Sequence, residues 1–244
     1  MKPTLKQTIE TPENESTCGI VSKIHLLQKY CTPEQQLFLN KVATPCFYRK
    51  DDLVFHENFP AHNIYFVSSG FVALWKQTIF SKKQYIRFVR EGELFGYRGS
   101  AIENPTYRLS ASTFEDAIIY SILKKDFAIV LKENPELHFK IISRYVKELE
   151  KVETAFCYHI TMNTREKVAE ALLKIYTIFG GNNAPAPFKK AMLRKDIADI
   201  AGVSTGKTIN MLTDFRTEKI IDTCGSEITF LNIDKIKEIV AAYH

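Results

Sequence analysis

The strongest chemical signal in the sequence is a pair of short helices predicted between residues 193 and 221. Gly202 ends the first helix, and Ser204 is a favourable N-cap residue for the second. Two helices joined by a tight glycine turn are typical of a helix-turn-helix, whose second helix enters the major groove of DNA. Asparagine pairs with adenine and lysine with the acceptors of guanine, so the chemistry would be the reading of base edges. The residues expected to be exposed for this role are Ser204, Thr205, Gly206, Lys207 and Asn210.

Apolar residues in this segment are spaced as two crossing helices require. Ala198 and Ala201 are small enough to let the second helix approach the first closely. The second helix should bury one face beneath the exposed residues. The side chains expected on that buried face are Met211, Leu212 and Phe215.

A phosphate-binding loop is the competing interpretation of this segment. Thr205-Gly206-Lys207-Thr208 resembles the end of such a loop, which needs four residues between its first glycine and the Gly-Lys pair. Gly202 leaves only three residues, and the preceding segment has a helical pattern rather than that of a strand. Because no nucleophile–base pair or metal-ligand spacing accompanies it, the sequence does not predict an enzyme.

The elements around the helix pair complete a small domain. A capping box formed by Asn163 and Glu166 starts a preceding helix. A β-hairpin is predicted from Ile220 to Leu231, and a closing helix begins near Asp234. A helix-turn-helix followed by a hairpin predicts a winged helix over residues 161–244.

The chain before this domain has a different pattern. Short runs rich in aromatic and β-branched residues recur over residues 46–123 and indicate a β-roll, sandwich or barrel. Helical patterns flank these strands at residues 20–43 and 136–160, whereas the polar residues 1–19 are expected to form a flexible tail. The predicted class is α+β, with a jelly-roll-like sensor domain over residues 20–160, a long helix and a C-terminal winged helix.

The long helix carries an apolar stripe that its own domain need not cover. Its length exceeds the mean of about 11–12 residues, and the stripe is continuous. A second copy of the chain would bury it as a coiled-coil seam, which predicts a homodimer. The alternative is a helix packed only on its own roll. The stripe consists of Leu137, Ile141, Tyr145, Leu149, Val152 and Phe156.

Composition sets the broad class. Of the 244 residues, 45% are hydrophobic and 25% charged, which is ordinary for a globular protein. The net charge of +5 is too small to identify a nucleic-acid binder by itself. No apolar run approaches the about 18–20 residues of a membrane span, and the N-terminus does not resemble a secretory signal. The expected location is therefore the cytoplasm.

The order of these parts resembles the Crp/Fnr superfamily of bacterial transcription regulators. The resemblance covers residues from about 45 to 231. It implies a homodimer with the long helix as its axis, a two-fold symmetric DNA operator as partner, and a signal sensed by the roll. RNA polymerase is a further implied partner. The supporting stretches are residues 48–55, 64–70, 91–96, 134–137 and 196–204.

The implied effector pocket departs from the cyclic-AMP-binding members of this superfamily. In those members a glutamate follows a Phe-Gly turn, and an Arg-Ser/Thr pair holds the cyclic phosphate. Here Tyr97 follows Phe95-Gly96, and Pro105-Thr106 fall near the phosphate positions. Loss of the arginine contact costs about 1.5–3 kcal/mol, so cyclic-nucleotide binding is not expected. Two nearby arginines could replace it, Arg98 and Arg108.

No other cofactor is predicted. The iron–sulfur members of the superfamily use a tight N-terminal cysteine cluster, whereas Cys18, Cys31 and Cys46 are thirteen and fifteen residues apart. The five cysteines are odd in number and widely spaced, which does not suggest a disulfide framework or a zinc site. The histidines form no distinctive pair that would indicate haem.

The predicted recognition helix also departs from the resemblance. Thr205, Gly206 and Asn210 stand where cyclic-AMP receptor-like members carry Arg, Glu and Arg, so a different DNA sequence should be read. An alternative function is a sensor or interaction module that keeps the fold without binding an operator tightly. Five basic residues are candidate phosphate contacts: Lys189, Lys190, Arg194, Lys195 and Arg216.

Overall fold

The computed structural model describes residues 19–78, 83–97, 106–180 and 188–243. The described residues divide into two compact units. The first unit extends to Lys76 and resumes over Ile86–Glu148, and the second takes in Gln77–Tyr85 and the chain from Leu149. The division therefore falls inside the long helix.

Three short helices precede the roll, within residues 20–43, where the sequence predicts a helical pattern. They are α1 (Ile20–Lys23), α2 (His25–Tyr30) and α3 (Pro33–Val42). Thr32 is the N-cap of α3. Its hydroxyl accepts a hydrogen bond from the Gln35 backbone, and the Gln35 side chain accepts one from the Thr32 backbone, which forms a capping box.

The roll consists of two antiparallel layers. In the described residues, the strands of one layer lie in the order β1-β8-β3-β6 and those of the other in the order β2-β7-β4-β5. Their aromatic and β-branched residues alternate between the interior of the roll and its outer faces. The strands are β1 (Thr44–Tyr48), β2 (Leu53–Phe55), β3 (Asn63–Ser69), β4 (Val72–Gln77), β5 (Lys83–Val89), β6 (Leu94–Phe95), β7 (Ser110–Thr113) and β8 (Ala117–Leu123).

Helices cover one outer face of this roll. The chain leaves β8 into α4 (Lys124–Glu133) and then α5 (Pro135–Thr161). Asn134 joins them to the N-terminal helices, because its amide donates to the Tyr30 carbonyl at 2.6 Å and its side-chain oxygen caps Leu137. The core beneath these helices contains Ile20, Ile24, Leu27, Leu39, Ile64, Phe66, Ile122, Phe127, Val130, Leu137 and Ile141.

The first half of α5 packs against its own roll, which corrects the predicted dimer stripe. Leu137 and Ile141 are fully buried in the core of the first unit. Tyr145 is half-buried and stacks on Tyr97 at a centroid distance of 5.4 Å. These three residues are therefore packed within one chain, whereas Leu149, Val152 and Phe156 of the predicted stripe stay exposed.

A separate apolar stripe runs along the outward face of α5. Leu149 and Phe156, both predicted interface residues, are 54% and 65% exposed, and Val152 lies beside them at 37%. The stripe keeps a spacing of three and four residues over three heptads, with Glu153 at one position of the repeat. We call it the outward stripe: Phe139, Ile142, Val146, Leu149, Phe156 and Ile160.

Four charged side chains fasten α5 to the roll. Arg87 of β5 donates to Glu148 at 2.7 Å and to Glu93 at 3.2 Å. Arg144 donates to Glu93 at 2.6 Å and lies 3.5 Å from Glu148. Both guanidinium groups are thus matched by carboxylates in a partly buried network, where ion pairs are screened less than on an open surface.

The second unit contains the helices and the hairpin of the predicted winged helix, with one additional strand. The described strands form a sheet in the order β10-β11-β9. Strand β9, which the sequence patterns did not predict, pairs with β11. The elements are α6 (Thr164–Phe179), β9 (Phe188–Ala191), α7 (Arg194–Ala201), α8 (Thr205–Thr217), β10 (Ile221–Cys224), β11 (Glu227–Phe230) and α9 (Ile233–Val240), with a 3₁₀ turn over Ala241–Tyr243.

No helix within the described ranges is long and apolar enough to cross a membrane.

Candidate nucleic-acid interface and roll interior

The turn between α7 and α8 is built as the sequence predicts. Gly202 has a φ of +65°, in the left-handed region that favours glycine. Ser204 then caps α8, and its hydroxyl accepts a hydrogen bond from the Lys207 backbone at 3.4 Å. A Cβ at Gly202 would lie 2.9 Å from Nε2 of His159, so both conformation and space select glycine here.

The inner face of α8 is anchored to the rest of the unit. Thr208, Leu212 and Phe215 are buried, whereas Met211 is only partly so. The Arg165 guanidinium lies 4.8 Å from the centre of the Phe215 ring. It also donates two hydrogen bonds of 2.7 Å to Glu218, just beyond the end of α8. This fork holds the C-terminal end of α8 against α6.

The outer face of α8 carries the predicted base-reading residues. Thr205, Gly206, Lys207 and Asn210 are all exposed. Ile209, which the sequence reasoning did not select, is 45% exposed on the same side. A helical projection does not single it out, because Ile209 lies about 100° around the helix from the buried Thr208, on the side of the exposed surface.

The predicted phosphate contacts have different local roles. Lys195 is exposed in the first turn of α7. Lys189 pairs with Glu227 at 3.3 Å across the sheet, and the Lys190 ammonium lies 3.8 Å from the centre of the Phe179 ring. Arg216 pairs with Asp222 at 3.3 Å.

Arg194 supports the wing. Its Nη2 donates to the carbonyl of Gly225 at 3.0 Å, in the turn between β10 and β11. Its Nη1 is buried without a hydrogen-bond partner. Arg194 therefore positions the wing from within the unit, a role that its sequence position alone does not reveal.

Aromatic rings fill the interior of the roll. Phe55 and Tyr107 stack at a centroid distance of 3.8 Å, and Tyr65 and Phe95 stack at 5.2 Å. The remaining cavity has a volume of about 30 Å³. By its volume it holds about two water molecules.

The family follows from the two halves of the chain. Residues 45–134 match the profile described as a cyclic nucleotide-binding domain, and residues 166–239 match the profile described as a Crp-like helix-turn-helix domain. The chain belongs to the Crp/Fnr family of transcription regulators. Members of this family are not enzymes, and the DNA-binding helix-turn-helix is α7–α8.

Known Crp/Fnr proteins share both halves. The chain is 22% identical to the Anaerobic regulatory protein of Bacillus subtilis over 75% of this chain and 77% of that protein. It is 24% identical to the nitrogen fixation regulation protein FixK of Azorhizobium caulinodans, over 78% and 76%. The solved structure of FixK2 from Bradyrhizobium japonicum matches with a TM-score of 0.68 and 24% identity, over 81% of this chain and 97% of that one.

The described lining of the roll cavity in this Crp/Fnr protein is largely apolar and aromatic. Arg87, which lines that cavity, is already matched by two carboxylates. Arg108 lines the cavity but is exposed, and Thr106 is half-buried in a bridge to Pro60. Two further predicted pocket residues, Arg98 and Pro105, lie outside the described residues.

We predict that cyclic AMP and cyclic GMP do not bind to this protein. The stacked rings would have to separate, and of the two described arginines that line the cavity, Arg87 is already paired with carboxylates, which leaves only the exposed Arg108 to meet the phosphate. Isothermal titration calorimetry should show no binding heat at nucleotide concentrations up to about 1 mM. Micromolar binding that disappears in Arg108→Ala would contradict this prediction.

Lys124 is a buried cation beside the aromatic interior. Its Nζ has no hydrogen-bond partner and lies 5.6 Å from the centre of the Tyr107 ring. Burial lowers the pKa of Lys124 from 10.5 to about 8. The unfolded chain therefore holds more protons than the folded chain between these two pH values, so stability rises with pH across this window.

We predict that Lys124→Met stabilises the protein by about 1–2 kcal/mol at pH 7, allowing for the partly exposed stem of the lysine. The gain should shrink between pH 8 and 10.5, because wild-type Lys124 becomes neutral there. Urea unfolding of both proteins at several pH values measures this difference. Lys124→Arg is the matched control, since its permanent charge should leave no such pH dependence; an equal gain for Lys124→Met at every pH would refute the account.

The described residues contain no cluster of three or more His, Cys, Asp or Glu side chains that could hold a metal ion. Among the described residues, Cys31, Cys46, Cys157 and Cys224 form no disulfide. Burial raises the pKa of Cys31 to about 11, which makes its thiol unreactive at neutral pH.

Proposed function

We propose that this chain acts in the cytoplasm as a homodimer that binds a two-fold symmetric DNA operator. The observation that carries the proposal is the outward stripe on α5, which one chain leaves exposed over three heptads. Exposed apolar surface of this regularity is typical of a parallel helix pair. The two copies of α8 would then contact half-sites about 34 Å apart.

Base reading in this proposal falls to the N-terminal half of α8. Asn210 is exposed there and carries the amide that pairs with adenine. Lys207 lies at the edge of the same face and can reach a base or a phosphate. Lys195, in the first turn of α7, is the clearest candidate for a backbone contact.

Signal input is proposed to enter through the roll. The network of Arg87, Glu93, Arg144 and Glu148 joins β5 to α5. A shift of β5 in the roll would therefore move α5, the helix of the proposed dimer interface. The aromatic interior argues for an effector other than a cyclic nucleotide. RNA polymerase is the further partner proposed, since a bound regulator acts on transcription.

A duplex selected from a library with a randomised centre tests this function. The purified protein should bind its selected duplex at least about 10³-fold more tightly than random DNA, and binding should weaken steeply with salt. Failure to select any sequence would favour the alternative, a sensor or interaction module without tight operator binding.

We predict that Asn210→Ala costs about 1–3 kcal/mol at one symmetric pair of operator positions and relaxes base preference there. Lys195→Ala should instead weaken binding to all DNA sequences alike. It should also lower the slope of log affinity against log salt concentration by about one per chain. Fluorescence anisotropy with the selected duplex, its single-position variants and random DNA measures both effects. Equal losses on selected and random DNA for Asn210→Ala would remove this residue from base readout.

A further inference from the structure

One face of α8 carries few hydrogen-bonding side chains. It spans about 100° of the helix surface and presents Gly206, Ile209, Asn210 and Thr213, whereas the exposed Lys207 and Asp214 lie beyond Asn210. Gly206 has no side chain, and Ile209 is an apolar side chain left 45% exposed. Asn210 is thus the amide at one side of a face that is otherwise apolar or small.

Thr213 adds a methyl group to this face. Its hydroxyl donates to the carbonyl of Ile209 at 3.0 Å, one turn earlier in the same helix. The hydroxyl is therefore satisfied within α8, which leaves the methyl as the group available for an outside contact. Ile209 and Thr213 are four residues apart, so their side chains are neighbours on the helix surface.

Cations stand away from the centre of this face. Lys207 lies at its edge, and Arg216 in the last turn pairs with Asp222. Guanine is read by arginine or lysine at its O6 and N7 atoms, whereas the distinctive major-groove group of thymine is its C5 methyl. An apolar face with one amide suits thymine and adenine.

We propose that α8 reads an A·T-rich half-site, with the side chains of Ile209 and Thr213 against thymine methyl groups and Asn210 against adenine. This inference rests on the proposed operator binding and names the base pairs involved. Gly206, at the start of the same face, lets the helix backbone come close enough for these short side chains to reach.

Replacing thymine by uracil tests the proposal directly, because it deletes only the methyl group. The probe is the selected duplex with deoxyuridine at one symmetric pair of half-site positions at a time. At the positions facing Ile209, wild-type binding should weaken about fourfold per half-site, as for loss of one buried methyl group. For Ile209→Ala, the same replacement should change binding by less than about twofold.

Thr213 supplies a matched pair of variants. Thr213→Val keeps the methyl group and should keep the preference for thymine over uracil. Thr213→Ser keeps the hydroxyl but not the methyl group, and it should lose this preference at the one half-site position that residue 213 faces. Ile209 and Thr213 are both exposed, and circular dichroism would verify that each variant is folded.

If uracil duplexes bind wild type as tightly as thymine duplexes, or if the selected half-site is G·C-rich where α8 docks, the proposal is wrong while operator binding stands. If no duplex is selected at all, the proposed function itself fails.

Discussion

Leu149→Glu should convert the proposed dimer into monomers. Leu149 is 54% exposed in a single chain, so the change should leave the fold intact. In the dimer, two glutamates would replace two leucines at the seam, next to Glu153 of each copy. We expect a loss of about 3–6 kcal/mol per dimer from apolar burial, which raises the dissociation constant by about 10²–10⁴-fold.

Sedimentation equilibrium measures this loss, and operator binding should fall with it because a monomer contacts one half-site. Glu153→Leu is the matched control in the opposite direction. It removes like charges from the seam and should tighten the dimer, since Glu153 is exposed within the repeat of the outward stripe. A Leu149→Glu protein that keeps the mass of a dimer would place the interface elsewhere.

Gly202→Val should be the most destabilising single change in the winged helix. The left-handed φ of +65° strains a β-branched residue, and even its Cβ would press on His159. We expect a loss of about 3 kcal/mol or more. Thermal unfolding would measure it, and a variant as stable as wild type would show that the turn can relax.

Gly206→Ala is the matched comparison, four residues later. A Cβ at Gly206 would meet nothing within 4 Å, and alanine favours a helix. We expect the protein to be stabilised by about 0.5 kcal/mol while its affinity for the selected duplex falls. Since the fold does not require this glycine, a loss of affinity would assign the requirement to close approach by DNA. Unchanged affinity would show that the DNA backbone or bases lie farther away.

Local signals predicted much of the fold. Thr32-Pro33, Asn163 with Glu166, and Gly202 with Ser204 act through hydrogen bonds or backbone angles within a few residues. Each ends or starts a helix, as the sequence analysis predicts for the last two pairs. Strand β9 was missed because its four residues contain two lysines and gain their place only by pairing with a distant strand. Such pairing is not encoded in a short pattern.

The dimer stripe shows where periodicity fails. Helix α5 carries two apolar stripes, one for its own core and one outward, and both repeat every three or four residues. Spacing alone cannot say which stripe a second chain would cover, and the sequence-based choice mixed the two. Only the packing of Leu137 and Ile141 on the roll separates them.

The sequence predicted the chemical type of the site residues better than it predicted the contacts that each of them makes. The sequence indicates that Arg194 is basic and near α7, but its hydrogen bond to Gly225 depends on the fold of the wing. Likewise, four aromatic residues scattered over residues 55–107 give no sign that they stack into one interior. Ile209 was passed over because exposed apolar residues are common on protein surfaces.

The helical cover of the roll sets a limit on how this protein can be shortened. The cyclic nucleotide-binding profile begins at residue 45, which would suggest an expression boundary just after α3. Removing α1–α3 would uncover Ile64, Phe66 and Ile122 and would cut the hydrogen bonds from Asn134 to Tyr30 and Gln35. A fragment starting at residue 45 would thus carry an open apolar face and tend to precipitate, so the smallest workable sensor domain begins before Ile20.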